Sequence, residues 1–148
     1  MLFSSNLSLQ ETIIMSNPLV SIILFSYNQE EFLAASIESI INQSYQNLEI
    51  IISDNGSTDR SKEIIRSYMS DQRIIFLDHT SNKFNSVRQN EANALSKGKY
   101  ISVLYSDDYY LLNKIQMQVE IFESLDDDYG LIHGPGYTLS VETNRKTF

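Results

Sequence analysis

From Pro18 onward, two hydrophobic patterns alternate along the chain. Short, nearly continuous apolar runs occupy residues 19–25, 48–53, 73–78 and 100–105, with a weaker one at 129–133. Runs of this kind suit strands buried on both faces of a sheet. Between them lie helical patterns. Residues 30–43 put Leu33, Ile37, Ile40 and Ile41 on one face. Residues 57–69 do so with Ile64, Ile65 and Tyr68, and 112–125 with Leu112, Ile115, Val119 and Phe122. Residues 83–97 are less amphipathic, carrying Val87, Ala92, Ala94 and Leu95. Strand and helix in repetition predict right-handed crossovers and a three-layer α/β/α domain on a mostly parallel, Rossmann-like sheet. Ligands of such sheets bind outside the carboxyl ends of the strands, where strand order reverses, so the loops after each strand hold the candidate chemistry.

The loop after the first run reads Ser26-Tyr27-Asn28-Gln29-Glu30. It has neither a dinucleotide fingerprint nor a phosphate-binding glycine loop. Tyr27 can stack on a base or sugar, or simply open a helix that Asn28 caps. The second loop, Ser53-Asp54-Asn55-Gly56-Ser57-Thr58-Asp59, is good turn stereochemistry. Asp54 nevertheless closes an apolar strand, where the turn does not require a carboxylate, and such a group can accept from a pyrimidine N3–H. After the third run His79 sits in a polar loop, where a histidine is usually solvated. The fourth run ends in Ser106-Asp107-Asp108. Two adjacent carboxylates repel unless a cation or donors offset them, and oxygen ligands suit Mg²⁺ or Mn²⁺ bridging to phosphates. One aspartate alone would suffice for capping the next helix. A sheet ordered 3-2-1-4 brings Tyr27, Asp54-Asn55 and Asp107-Asp108 to one rim, as a nucleotide-diphosphate site would need.

Composition narrows the classes. With 148 residues, 42% hydrophobic, the chain fits one domain with a real core. Residues 1–17 read as a flexible N-terminal extension, with Met15 the expected natural start, and 18–148 as the folded domain. The absence of cysteine excludes a disulfide scaffold, a thiolate zinc site and a cysteine nucleophile. Lys and Arg number 11 against 19 Asp and Glu, a net charge of −8 with no basic cluster, which argues against a nucleic-acid partner. The same charge makes a cation necessary if the ligand is phosphorylated. No run approaches the roughly 20 apolar residues of a membrane helix.

Five strings, in order and spacing, resemble the inverting glycosyltransferases of family 2, which have the GT-A fold. They are residues 20–28 (VSIILFSYN), 36–45 (SIESIINQSY), 54–59 (DNGSTD), 98–101 (GKYI) and 106–108 (SDD). The resemblance runs from about Pro18 to Tyr137. It implies a nucleotide-binding set of Phe25, Tyr27, Asp54, Asn55, Arg88 and Asp107. Tyr27 would stack on a uracil-like base, Asp54 and Asn55 would contact that base, and Arg88 would lie near the nucleotide. Asp107 would approach the ribose, and Asp108 would hold Mn²⁺ or Mg²⁺ on the diphosphate. Asn55 stands where many relatives have a second Asp, and Tyr105 replaces the first Asp of the familiar D-x-D-D form.

The resemblance further implies a nucleotide-sugar donor, UDP being expected, and a saccharide or lipid-linked acceptor. It places the protein in the cytoplasm, peripheral to the inner face of the membrane, in polysaccharide assembly. No general base is identified. Asp126-Asp127-Asp128 read as a solvated loop and Glu142 as part of a polar tail. The expectation is therefore a donor-binding half, cut after about a fifth strand, with the acceptor half absent. A non-catalytic nucleotide-binding module or folded remnant is the alternative. A phosphoacceptor receiver domain, which shares the alternation, wants acidic residues where Tyr27-Asn28 stand. An exposed sheet edge predicts self-association.

Overall fold

The computed structural model describes residues 17–125, 128–134, 136, 138–140 and 145–147. The expected extension, apart from Asn17, lies outside them, as do Asp126, Asp127 and Glu142. Four strands, β1 (Val20–Ser26), β2 (Leu48–Asp54), β3 (Ile74–Asp78) and β4 (Tyr100–Tyr105), pair in parallel in the order β3-β2-β1-β4. Helices α1 (Leu33–Ile41), α2 (Ser61–Ser67) and α3 (Asn85–Leu95) connect them, and α4 (Lys114–Ser124) follows β4. The register aligns the strand ends: Ser26 lies opposite Asp54, Asp54 opposite Asp78, and Phe25 opposite Tyr105. A level rim results.

Side chains alternate across the two central strands, which explains their unbroken apolar sequence. Ile22, Leu24, Ile50 and Ile52 face Leu33, Ile37 and Ile40 of α1, Ile65 of α2, and Ile115 and Val119 of α4. Ile23 and Ile51 face the opposite way onto Ala92 of α3, with Phe25 and Leu77 packed beside them. Each fully buried isoleucine or leucine contributes about 1.5–3 kcal/mol, so the larger layer carries most of the stability. On the α3 side, Ile101, Val103 and Tyr105 of the edge strand β4 are exposed.

The helices are shorter than their sequence patterns. The first begins at Leu33 rather than at residue 30, residues 30–32 forming a turn in which Phe32 N and Leu33 N both donate to Gln29 O. The expected fifth strand at 129–133 is not one. Those residues are irregular, with Tyr129 and Leu131 exposed. The run is five residues long, contains Gly130 and precedes Gly134, so too little apolar surface is available to hold it against the sheet. Strands β5 (Thr138–Ser140) and β6 (Arg145–Thr147) instead pair antiparallel with each other, as a separate two-stranded sheet.

Opposite the rim, the buried Glu49 carboxylate accepts from Ser21 Oγ and from the amides of Lys97 and Gly98, tying the entry of β4 to β1 and β2. A Cβ on Gly98 would stand 2.5 Å from Ser21 N and 2.8 Å from Leu19 O. Replacing Gly98 by alanine should therefore cost about 2 kcal/mol or more through overpacking against backbone. Urea unfolding checks this, and an unchanged midpoint would contradict it.

Candidate functional site

The rim is built around one buried carboxylate. Asp54, at the end of β2, is fully buried. Its Oδ1 accepts from Gly56 N (3.1 Å) and Ser57 N (2.8 Å), and its Oδ2 from the Ser57 hydroxyl. Lys62 Nζ lies 3.9 Å from Oδ1 and supplies the nearest countercharge. Gly56 adopts φ +83°, and a Cβ there would meet Ser81 C at 2.6 Å. The turn thus needs glycine twice, for its left-handed backbone and for its approach to the β3–α3 loop.

A second set of bonds fastens the β1–α1 loop to the β2–α2 loop. Asn28 N donates to Ser57 Oγ (2.9 Å), and Asn28 Oδ1 accepts from Thr58 N (2.8 Å). Glu30 N donates to Asp59 Oδ2 (3.0 Å), and Arg60 N to Glu30 Oε2 (2.8 Å). Asn28 sits at φ +51°, where asparagine is better tolerated than most residues. It caps no helix here, since α1 starts five residues later. Most polar residues of SYNQE and DNGSTD therefore hold the two loops in register.

Between these loops and the end of β4 opens a cavity of about 250 Å³. Of the residues expected at the site, Phe25, Tyr27, Asn55, Arg88 and Asp107 line it. Neither Asp54, its carboxylate being turned into the turn beneath, nor Asp108 is among the lining residues. The Asn55 side chain is committed on both atoms. Its Oδ1 accepts from Lys83 N (2.9 Å) and Arg88 Nε (2.8 Å), while Nδ2 donates to Lys83 O (2.9 Å). A carboxylate could not make that last bond. Arg88, 3% exposed, also donates to Ser81 O (2.6 Å) and to Glu91 Oε2 (2.9 Å). That contact holds the Glu91 carboxyl below its ordinary range. His79 faces Ser53 Oγ (3.4 Å) and Glu91 (3.5 Å) rather than the cavity. Burial, then the Arg88 charge, pushes its pKa down.

Sequence reasoning missed Gln29, Asn82 and Asn85, which also line the cavity. Asn85 and Arg88 share one face of α3 at i,i+3 spacing, a signal that could have paired them. Ser26 Oγ, buried at the end of β1, is without a hydrogen-bond partner among the described residues. A wider, open depression of about 790 Å³ runs along residues 82–87, over the exposed end of the β3–α3 loop and the first turn of α3.

Asp107 and Asp108 are exposed and enter no ion pair among the described residues. Partial burial and the neighbouring Asp107 charge raise the Asp108 pKa. The main chain of this pair is pinned: Ser36 Oγ of α1 donates to the carbonyls of Ser106 (2.8 Å) and Asp108 (2.5 Å). No cluster of three or more acidic or histidine ligands occurs among the described residues. Two free carboxylates fit a cation that completes its shell with water and ligand phosphates.

A family model described as glycosyl transferase family 2 matches residues 21–146. The chain belongs to that family. Among its relatives, the UDP-Glc:alpha-D-GlcNAc-diphosphoundecaprenol beta-1,3-glucosyltransferase WfaP of Escherichia coli is 41% identical over 106 residues, 72% of this chain and 42% of that protein. The putative teichuronic acid biosynthesis glycosyltransferase TuaG of Bacillus subtilis is 35% identical over 104 residues, 70% of this chain and 41% of that one. The chain thus spans well under two thirds of these relatives. Among solved structures, S. aureus TarS 1-349 in complex with UDP superimposes with a TM-score of 0.67 at 18% identity, covering 77% of this chain and 38% of that one. The GT-A type of α/β sheet is therefore shared, without the expected fifth parallel strand among the described residues. Within this family sheet, no helix among the described residues is long and apolar enough to cross a membrane.

Two expected outcomes follow from the site's electrostatics. Asp54→Ala leaves two amides and a hydroxyl without their acceptor and should destabilise the fold by about 3 kcal/mol. Chemical denaturation measures this, and a loss under about 1 kcal/mol would contradict the role given to Asp54. Asp108 acts oppositely. Its folded pKa lies above the unfolded value, so its contribution to stability is full below the ordinary aspartate pKa and is lost as pH rises through the raised one. Asp108→Asn should therefore melt higher than wild type at pH 7, with the gap closing on acidification. A lower melting point at pH 7 would refute this.

Proposed function

We propose that this chain is the donor-binding part of an inverting, divalent-metal-dependent glycosyltransferase that takes a UDP-sugar. The observation that carries the reading is the meeting, on one cavity, of an exposed aromatic ring (Tyr27), a polar wall (Asn55 and Arg88) and the exposed carboxylate of Asp107, which Asp108 follows in sequence. Tyr27, 45% exposed, offers a stacking face for the base. Asn55 and Arg88 form the polar wall on the β2 side, with Asn55 locked by Lys83 and Arg88. Asp107 would approach the ribose, and Asp108 would hold the cation on the diphosphate. Mn²⁺ or Mg²⁺ held there would neutralise the leaving diphosphate, which the net charge of −8 would otherwise repel.

Relatives support the donor and suggest the acceptor. The names of WfaP and WfgD specify UDP-Glc and a diphosphoundecaprenol-linked sugar, and two solved TarS complexes hold UDP and UDP-GlcNAc. PcManGT from Pyrobaculum calidifontis was solved with GDP-Man and Mn2+. A lipid-linked saccharide at a membrane surface is accordingly the acceptor class we assign, in surface-polysaccharide assembly. In-line displacement at the anomeric carbon needs a base to take the acceptor's hydroxyl proton. No residue of the described cavity is assigned that task.

Calorimetric titration of UDP tests the reading, first with Mn²⁺ and then with EDTA. Binding in Mn²⁺ that weakens at least tenfold in EDTA is expected, and Asp108→Ala should abolish the difference. Metal-dependent affinity should also fall as pH is lowered into the range of the raised Asp108 pKa, because proton and metal compete for one carboxylate. Absence of binding under both conditions would overturn the proposal in favour of a folded remnant.

A further inference from the structure

Tyr105 stands at the end of β4, where the D-x-D-D form would place its first carboxylate. The residue is 51% exposed, and its hydroxyl has no hydrogen-bond partner among the described residues. Strand pairing sets it beside Phe25, with ring centroids 6.0 Å apart and planes tilted by 37°. Phe25 in turn packs on the buried cluster of Ile23, Ile51 and Ala92. Tyr105 is thus a firmly backed aromatic surface. Both rings line the 250 Å³ cavity, which Asn55, Asn85, Arg88 and Asp107 also line with polar groups.

One apolar wall and several polar groups around one small cavity match a ring with an apolar C–H face and hydroxyl edges. We propose that Phe25 and Tyr105 form a stacking wall for a sugar ring of the donor. Tyr105 presents the contact and Phe25 positions it. The inference rests on the donor-binding reading above and adds a determinant that the D-x-D-D pattern lacks. A carboxylate at this position would grip hydroxyls by hydrogen bonds, whereas Tyr105 holds the ring by its face. Such a contact depends on the aromatic surface and not on the phenol hydroxyl.

Two rings of the donor have this chemistry, the ribose and the transferred sugar. Affinities for UDP and UDP-glucose, measured in Mn²⁺ for wild type, Tyr105→Ala and Tyr105→Phe, separate them. Tyr105→Ala should lose about tenfold while Tyr105→Phe stays within twofold of wild type. Equal losses for UDP and UDP-glucose assign the wall to ribose. A loss confined to UDP-glucose assigns it to the transferred sugar. Unchanged affinity of Tyr105→Ala for both ligands overturns the proposal, as does a loss in Tyr105→Phe matching that in Tyr105→Ala. Wild-type binding is the internal control: if wild type binds neither ligand, the donor-binding reading itself has failed. Melting curves of the variants establish that an exposed strand-end substitution leaves the fold intact.

Discussion

The carboxylate of Asp54 is the interaction on which the rim depends. A fully buried charge is tolerable only where donors and a countercharge surround it. Here the donors are the Gly56 and Ser57 amides and the Ser57 hydroxyl, with Lys62 as countercharge. Satisfying Asp54 folds the turn. The turn then aims Ser57 Oγ at the Asn28 amide and tucks Gly56 under Ser81. One buried group thereby sets three loops, those after β1, β2 and β3.

Residues on this rim divide by direction. Asp54 spends its polar atoms within its own turn, and Ser57, Asp59 and Asn28 spend theirs joining the β1–α1 and β2–α2 loops, whereas Tyr27, Tyr105, Asp107 and Asp108 are exposed. Cations are distributed to match. Lys62 and Arg66 neutralise Asp78 and hold its carboxyl below the ordinary range. No ion pair among the described residues does so for Asp107 and Asp108; partial burial, and then the unrelieved Asp107 charge, raise the Asp108 pKa. Retained repulsion of this kind lowers stability and favours a bound cation. Stability and ligand affinity therefore pull in opposite directions at Asp108.

The sheet was legible because β1 and β2 are buried on both faces, which leaves an unbroken apolar run that few other structures need. Strand order followed from topology. The run at 129–133 misled because apolar content alone cannot reveal whether a neighbouring strand accepts it, and Gly130 weakens it further. At the site, chemistry was legible and direction was not. Asp54 and Asp107 look alike as carboxylates closing strands, yet one points into a turn and the other lines a cavity. Asn85 escaped notice because a polar residue opening a helix is unremarkable until Arg88 is seen on the same face. Asn55 reads as a replaced aspartate until the Lys83 carbonyl, which needs a donor, is placed beside it.

The central claim is that this rim binds a nucleoside diphosphate with a divalent cation. The most direct test is a two-dimensional ¹H–¹⁵N NMR titration of the labelled protein with UDP and Mg²⁺. Shifts concentrated at Tyr27, Asn55, Arg88, Tyr105 and Asp107, and diminished when Mg²⁺ is chelated, are the predicted result. A spectrum that does not respond, or one whose changes fall on the opposite end of the sheet around Glu49 and Gly98, would contradict the account.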